Sequence, residues 1–462
     1  MSSTISSADI LTGSIGSILR RMTAPMVIGI LAVILFQTVD TYFIGLLGTT
    51  ELAAISFTFP VTFTLTSLVI GLGIGTSVLL AQVIGRGDTS TAQRIATDSI
   101  LLACLLVAAL ALLGVATLEP LFRLLGATDN TLPYIRDYML IWYASVGLLV
   151  VPMVGNAAIR ATGDTKWPSL LMLGSGLMNA VIDPLLIFGL GPFPALGVQG
   201  AAISSAISWL GGLLGALYLL RVREQLLVFH LPAWAELKAF WGALLKVALP
   251  ISAANMLTPI CAAILTALIA RFGEDAVAAF GAGTRMEAIA MVVIFALTSA
   301  LSPYMAQNLG AGNGARARQA LRLALRFALL FQLAVYVLVI TASPWLARLF
   351  SQEAAVQTMI QQYLCIALLG SVFYGLMIII NTAFNAASQS RITLSLTLLR
   401  VFLCVAPCAW LGGQLYAYPG LLTGIALGNV LACLIAWRQL QRSFNPTSCA
   451  ETQASQRDDT LL

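Results

Sequence analysis

The chain has 462 residues, of which 59% are hydrophobic and only 9% charged, with 24 Lys+Arg against 19 Asp+Glu. Soluble domains carry about 25% charged residues, so this composition excludes a soluble protein. With a mean hydropathy of +0.93 it equally excludes a disordered chain or a nucleic-acid binder. The polar first twenty residues predict no cleavable leader. Seven cysteines lie mostly inside apolar runs, without a CxxC pair or a Cys/His cluster, which predicts small buried hydrophobes and no metal centre. No GxxxxGKS or GxxxxGKT loop occurs, so ATP hydrolysis by that route is not expected.

A spanning helix needs about 20 mainly apolar residues, and twelve such runs follow one another along the chain. They cover residues 24–45, 56–84, 97–118, 135–158, 169–190, 199–220, 247–270, 278–306, 322–344, 361–384, 394–413 and 419–437. Their length and continuity predict helices rather than barrel strands, which alternate polar and apolar residues in segments of about ten. Between the sixth and seventh runs lies RVREQLLVFHLPAWAELKAFWGALLK, with the chain's one histidine, His230. This stretch reads as an interfacial amphipathic connector with Trp234 and Trp241 near the headgroups. His230 is expected to be an ordinary interfacial residue rather than a titrating switch. Of the 24 Lys+Arg, all but six fall on the side shared by the two termini. The exceptions are Arg123, Arg136, Arg271 and Arg348 in the opposite loops, and Arg285 and Arg400 within spans. Positive charge marks the cytoplasmic side, so both termini are expected there.

The two halves match at a constant shift of 225 residues, as AQVIGRGDTSTAQR against AQNLGAGNGARARQ illustrates. The shift pairs Gln82 with Gln307, Gly85 with Gly310, Gly87 with Gly312, Pro25 with Pro250, Gly48 with Gly273, Tyr138 with Tyr363 and Asn156 with Asn381. Polar, Gly and Pro coincidences across six spans at one offset point to a duplication. An even number of spans per copy makes the copies insert the same way up, related by an axis along the membrane normal. The expected fold is therefore an all-α polytopic membrane protein, with twelve transmembrane helices as two six-helix lobes related by pseudo-twofold symmetry. The expected organisation is a first lobe over 1–220 that carries the polar site, a cytoplasmic amphipathic linker over 221–246, a second lobe over 247–440 and a polar cytoplasmic tail over 441–462.

An ionisable group inside a span costs roughly 2.5 to 3.5 kcal/mol on insertion scales, so each one present is a functional candidate. There are five: Asp40, Asp183, Arg285, Glu287 and Arg400. Asn179 and Asp183 are four residues apart in MNAVIDPLLIFG and share a helix face. Pro184, directly after, frees a backbone carbonyl one turn back, which at membrane depth is tolerated mainly beside a cavity or in packed protein. If Asp40 faces Asp183, the two cannot both ionise cheaply without a proton or cation between them, as a coupling site requires. The alternative is two independent structural acids. The 225 shift places Leu265 opposite Asp40, Cys404 opposite Asn179 and Cys408 opposite Asp183, so only the first lobe carries this site. In the second lobe Arg285 and Glu287 point to different sides of their helix, and Glu287 is paired in expectation with Arg400. Structural and substrate-contacting roles both stand for these charges. Phe57, Phe59, Phe63, Met153, Met178, Met256 and Met291 either line an adaptable cavity or simply pack helices.

With APMVIG at Pro25, VDTYFIG, GNAAIRATGDT and MNAVIDPLLIFG in order, the chain resembles the multidrug and toxic compound extrusion (MATE) family over essentially its whole length, and especially its DinF-like branch. The resemblance implies export of organic cations and other drugs across the cytoplasmic membrane in exchange for inward H⁺ or Na⁺. It implies a first-lobe cation site at Asp40, Asn156, Asn179 and Asp183, completed by a hydroxyl at Ser204 or Ser205, and a hinge in the first helix at Pro25. The NorM-like branch has a further carboxylate in the span that here reads LPISAANMLTPI, which holds no acid, so a second-lobe cation site is not expected.

The reading from sequence is thus a bacterial inner-membrane antiporter working by alternating access. Its partners are a small organic substrate and the lipid bilayer, the resemblance implies a monomer, and no cofactor is expected beyond the coupling ion, H⁺ or Na⁺ at Asp40, Asn179 and Asp183. The rival is a flippase for lipid-linked precursors, which requires a cationic cavity that only Arg285 and Arg400 supply. An enzyme is not expected, because no metal cluster or nucleophile with its base appears.

Overall fold

The structure is a computed structural model that describes residues 7–228 and 234–443. It divides into two compact units, Met1–Ala253 and Ala254–Leu462. After the short α1 (Ser7–Thr12), the first unit holds the spans α2 (Ile15–Leu47), α3 (Thr49–Gly85), α4 (Thr89–Ala116), α6 (Leu132–Thr162), α7 (Lys166–Phe188) and α8 (Val198–Tyr218). A short α5 (Leu118–Leu124), not foreseen from hydropathy, lies between α4 and α6. It buries Phe122 and carries Arg123 in ion pairs with Glu119 and Asp129. The long α9 (Trp234–Ile269) contains the unit boundary. The second unit continues with α10 (Glu274–Gly310), α11 (Gly314–Phe350) and α12 (Ala354–Ala386). Then α13 (Ser390–Leu398) runs through a π-helical stretch, Leu399–Val405, into α14 (Ala406–Ser443). Helical geometry fails within α14 at Tyr416 and Ala417, the latter at φ 50°. That break divides the last continuous stretch into two spans and brings the number to the expected twelve. Most helices begin before their apolar runs, as α2, α3, α4 and α6 do, because polar turns continue the backbone hydrogen bonding beyond the hydrocarbon.

One expectation is revised. The second half of the 221–246 connector, from Trp234 onward, is not a separate interfacial segment but the start of α9. Leu237, Leu244, Val247, Ala248 and Ile251 are all buried and form one helical stripe from the connector into the span. The Trp241 indole donates to the Asp98 carbonyl at 3.2 Å, and Phe240, Trp241 and Leu245 pack on the first unit's core. His230 and the tail beyond Ser443 lie outside the described residues.

The duplication is written in the backbone as well. Gly87 and Gly312, 225 apart, close equivalent turns at φ 80° and 78°. Gly163 at φ 105° is matched by Ser388 at φ 59°, a left-handed conformation that favours glycine. In the first unit the core lies between α3, α4, α5 and α6, around Leu72, Phe122, Ile135, Met139 and Trp142. The pair α2 and α7 packs beside it at close range: a Cβ on Gly29 would sit 3.1 Å from the Ser169 Cα, and the Ser169 hydroxyl donates to the Met26 sulfur at 3.3 Å. Helix α8 starts directly under the end of α7, so that a Cβ on Gly200 would lie 2.5 Å from the Leu186 carbonyl oxygen.

Two expected outcomes follow from these contacts. Gly200→Ala forces α8 off α7 and should cost about 1 to 3 kcal/mol by overpacking, measured as a lowered melting temperature in detergent. The second concerns Asp88, the N-cap of α4. It accepts the Thr91 amide at 3.0 Å and the Ser90 hydroxyl at 2.8 Å, and the Thr91 hydroxyl and amide together with Ser90 lower its pKa from 3.8 to about 2. A lowered folded-state pKa adds stability above the unfolded value, and that stability disappears as pH falls through the folded one. Asp88→Ala should therefore melt below wild type at pH 7, with the gap closing between about pH 4 and pH 2.

Candidate functional site

Asp40 lies two turns before the end of α2, and Asp183 five residues before the end of α7. The tight α2 and α7 packing brings them together: the Asp183 carboxylate is fully buried and lies within hydrogen-bonding reach of Asp40, Asn179 and Ser204. Asn179 Nδ2 donates to Asp183 Oδ1 at 3.1 Å, as the shared helix face requires, and is also 3.1 Å from the Ser204 oxygen on α8. The Ser204 hydroxyl in turn donates to the Asn179 carbonyl at 3.4 Å. Of the two serines open from sequence, Ser204 is therefore the one at the cluster, and the α7 to α8 contact at Gly200, one turn earlier, sets its distance.

The cluster is rich in acceptors. Asp40 Oδ1, Asp183 Oδ2 and Asn156 Oδ1 are each buried without a hydrogen-bond partner, whereas buried polar atoms are ordinarily satisfied. Acceptor oxygens of this kind are satisfied by a proton on one carboxylate or by a small hard cation. Asn156 is buried on α6, but no hydrogen bond joins it to Asp40, Asn179 or Asp183. An apolar group of Ile44, Ile187 and Ala201, with Phe43 and Phe188 packed against it, lies next to the acids in sequence on α2 and α7. The Phe43 and Phe188 rings meet edge to face at 6.1 Å. This apolar packing keeps the local dielectric low and raises the cost of an unneutralised charge.

Tyr138 on α6 packs on that same group and lies close enough to interact electrostatically with both carboxylates. The site residues expected from sequence do not include it, although the repeat carries a signal. Tyr138 is paired with Tyr363 by the 225 shift, and the Tyr363 hydroxyl donates to Glu287 Oε2 at 2.5 Å. Each copy thus places this tyrosine beside an intramembrane acid, although the acids come from different helices.

The expected Glu287 and Arg400 ion pair does not form. The Arg400 guanidinium lies 3.8 Å from the centre of the Tyr374 ring and donates from Nε to Asn429 Oδ1 at 2.8 Å, so cation–π and amide contacts stabilise it. Glu287 is held by Tyr363 instead. Arg285 is exposed on α10. Met291 is 2% exposed and its sulfur accepts from Gln332 Nε2 at 2.8 Å, while the Met178 methyl group occupies the space beside Gly211. Both methionines pack helices here, the second of the two roles foreseen for them. Leu265 and Cys404 are buried and Cys408 is half-buried at the second lobe's counterparts of Asp40, Asn179 and Asp183. Pro25 and Pro184 both lie inside their helices, α2 and α7.

The chain is similar over 95% of its length, and 97% of the relative's, to the FAD transporter of Shewanella oneidensis, at 42% identity. It is 24% identical to the multidrug export protein MepA of Staphylococcus saprophyticus, over 90% of this chain and 92% of that one. Among solved structures, the Vibrio cholerae MATE transporter VcmN in the bent form superposes with a TM-score of 0.88 at 32% identity, covering 93% of this chain and 97% of that one. The MatE family profile matches residues 25–185 and again 250–411, two segments that begin one repeat apart. A duplicated twelve-span helical chain with these matches is a multi-pass membrane transporter, and it belongs to the MATE family.

Proposed function

We propose that this chain is a secondary antiporter that exports an organic solute in exchange for inward H⁺, with Asp40 and Asp183 as the coupling pair. The observation that carries the reading is the meeting of two carboxylates inside a span, each with a buried unpartnered oxygen. Two ionised carboxylates repel at that range in a low dielectric, whereas one shared proton satisfies both. Asn179 and Ser204 orient Asp183, Tyr138 borders the pair, and Asn156 supplies a further acceptor. Protonation from the outside and release to the cytoplasm give the two states of the pair different free energies, which is the differential term that alternating access requires. Pro25 and Pro184 interrupt backbone hydrogen bonding in the two helices that carry the acids, and they are the positions we assign as hinges. The second lobe, with Leu265, Cys404 and Cys408 at the equivalent positions, provides no second coupling site. The excess of Lys and Arg on one side supports an inner-membrane protein with both termini cytoplasmic, working as a single chain.

For the substrate, 42% identity across nearly the full length of a FAD transporter, against 24% for MepA, favours a flavin dinucleotide over a cationic drug. Arg285, exposed on α10, has the sign its phosphates require. The flippase reading loses support, since Arg400 is occupied by Tyr374 and Asn429.

Proteoliposomes carrying the purified protein test both parts. A pH gradient alone should drive FAD movement, and Asp40→Asn and Asp183→Asn should each reduce it to the rate of empty vesicles. Both variants should melt within a few degrees of wild type, because Asn keeps the shape and most hydrogen bonds of the acid. Retained transport in both single variants removes the coupling assignment, and transport driven only by a Na⁺ gradient makes the same oxygens cation ligands instead. Movement of a cationic dye but not of FAD overturns the substrate part while leaving the coupling part standing.

A further inference from the structure

A cavity of about 550 Å³ opens between the start of α11 and the end of α14, lined by Arg318, Arg322, Arg438 and Arg442 together with Trp437. Its floor is apolar, with Leu321, Leu325 and Leu440 buried. Among the described residues no carboxylate lines it and no ion pair involves Arg322, Arg438 or Arg442; α11 and the final turns of α14 contain no Asp or Glu. Arg322, Arg438 and Arg442 are exposed, and cationic side chains gathered at one mouth repel one another unless an anion joins them.

The first lobe provides an internal control. Gln93 and Thr97 on α4 stand 225 residues before Arg318 and Arg322, and the chain's own connector covers them. Gln93 Nε2 donates to the Gln225 carbonyl at 2.9 Å, and the Val228 amide donates to the Thr97 hydroxyl at 3.1 Å. The same helix face that is closed by backbone in one repeat therefore carries arginines in the other.

We propose that this cavity binds the headgroup phosphate of an anionic phospholipid from the leaflet facing the arginine-rich ends of the helices. Arginine forks bind phosphate oxygens bidentately, Trp437 is a residue type that sits at headgroup level, and the leucine floor adjoins the apolar lengths of α11 and α14, where acyl chains run. A basic pocket between spans, bordered below by hydrocarbon, fits a lipid better than a free anion.

Native mass spectrometry of the full-length protein with defined lipids decides the matter. Phosphatidylglycerol should be retained over phosphatidylcholine, whose phosphate is offset by choline, and inorganic phosphate at millimolar concentration should not displace it. Arg322→Gln and Arg438→Gln should each weaken retention about fivefold, with the melting temperature reporting that both variants are folded. Equal retention of the two lipids by wild type overturns the proposal without any variant. So does displacement by inorganic phosphate, which identifies a free-anion site. If phosphatidylglycerol binds only after Glu451→Gln, Asp458→Asn and Asp459→Asn are combined in the full chain, the acidic tail is the natural occupant and the lipid assignment fails.

Discussion

Two carboxylates that meet in hydrocarbon cannot both stay charged, and the structure of the first lobe is arranged around that constraint. Asp40 and Asp183 reach one another because α2 and α7 approach closely at Gly29 and Ser169. Asp183 is held in place by the Asn179 amide, which is itself anchored by Ser204. Gly200 permits α8 to start against the Leu186 carbonyl, and this places Ser204 at the site. Losing either close approach separates the acids or uncovers them to water, and either change relieves the electrostatic tension between them.

The second lobe handles its charges differently. Arg400 and Glu287 each have private partners, an aromatic ring with an amide in one case and a phenol in the other. A charge satisfied by fixed neutral groups has no reason to change its protonation or exchange partners during a cycle, whereas a pair of acids short of a donor does. The two copies thus hold their intramembrane charges in different ways, one as a pair of acids and the other as separately satisfied groups. The tyrosine pair Tyr138 and Tyr363 stands at the same repeat position beside acids from different helices.

Much of this was legible in the sequence, for identifiable reasons. Twelve apolar runs of spanning length dictate helices because no other structure satisfies their backbone in lipid, and intramembrane acids are too costly to be incidental. The Asn179 and Asp183 contact follows from a spacing of four on one helix. What escaped was the choice among neighbours within reach of a long side chain, and continuity across a boundary. Arg400 had several polar and aromatic neighbours within reach of a long side chain, and charge complementarity alone selected the wrong one. The start of α9 at Trp234 was hidden because its tryptophans and lysines suit an interface as well as a helix end. Only the buried stripe from Leu237 to Ile251 distinguishes the two. Tyr138 was visible as a repeat match but not as a site residue, since a tyrosine in a span has no cost that demands an explanation.

The position of the acids has a mechanical consequence. Asp183 is followed at once by Pro184, and α7 ends at Phe188, so little hydrogen-bonded helix lies beyond the acid to resist a local rearrangement. Proline removes the backbone bond that would otherwise tie that last turn to the one before it. A change in the charge of the pair therefore acts on a short and weakly tethered segment, and its next residues, Leu186 and Ile187, accept the amides of Leu196 and Gly197 at 2.9 and 3.1 Å from the loop that leads into α8. The segment that follows Asp183 is thus joined to the start of α8 through backbone hydrogen bonds rather than through adaptable side chains.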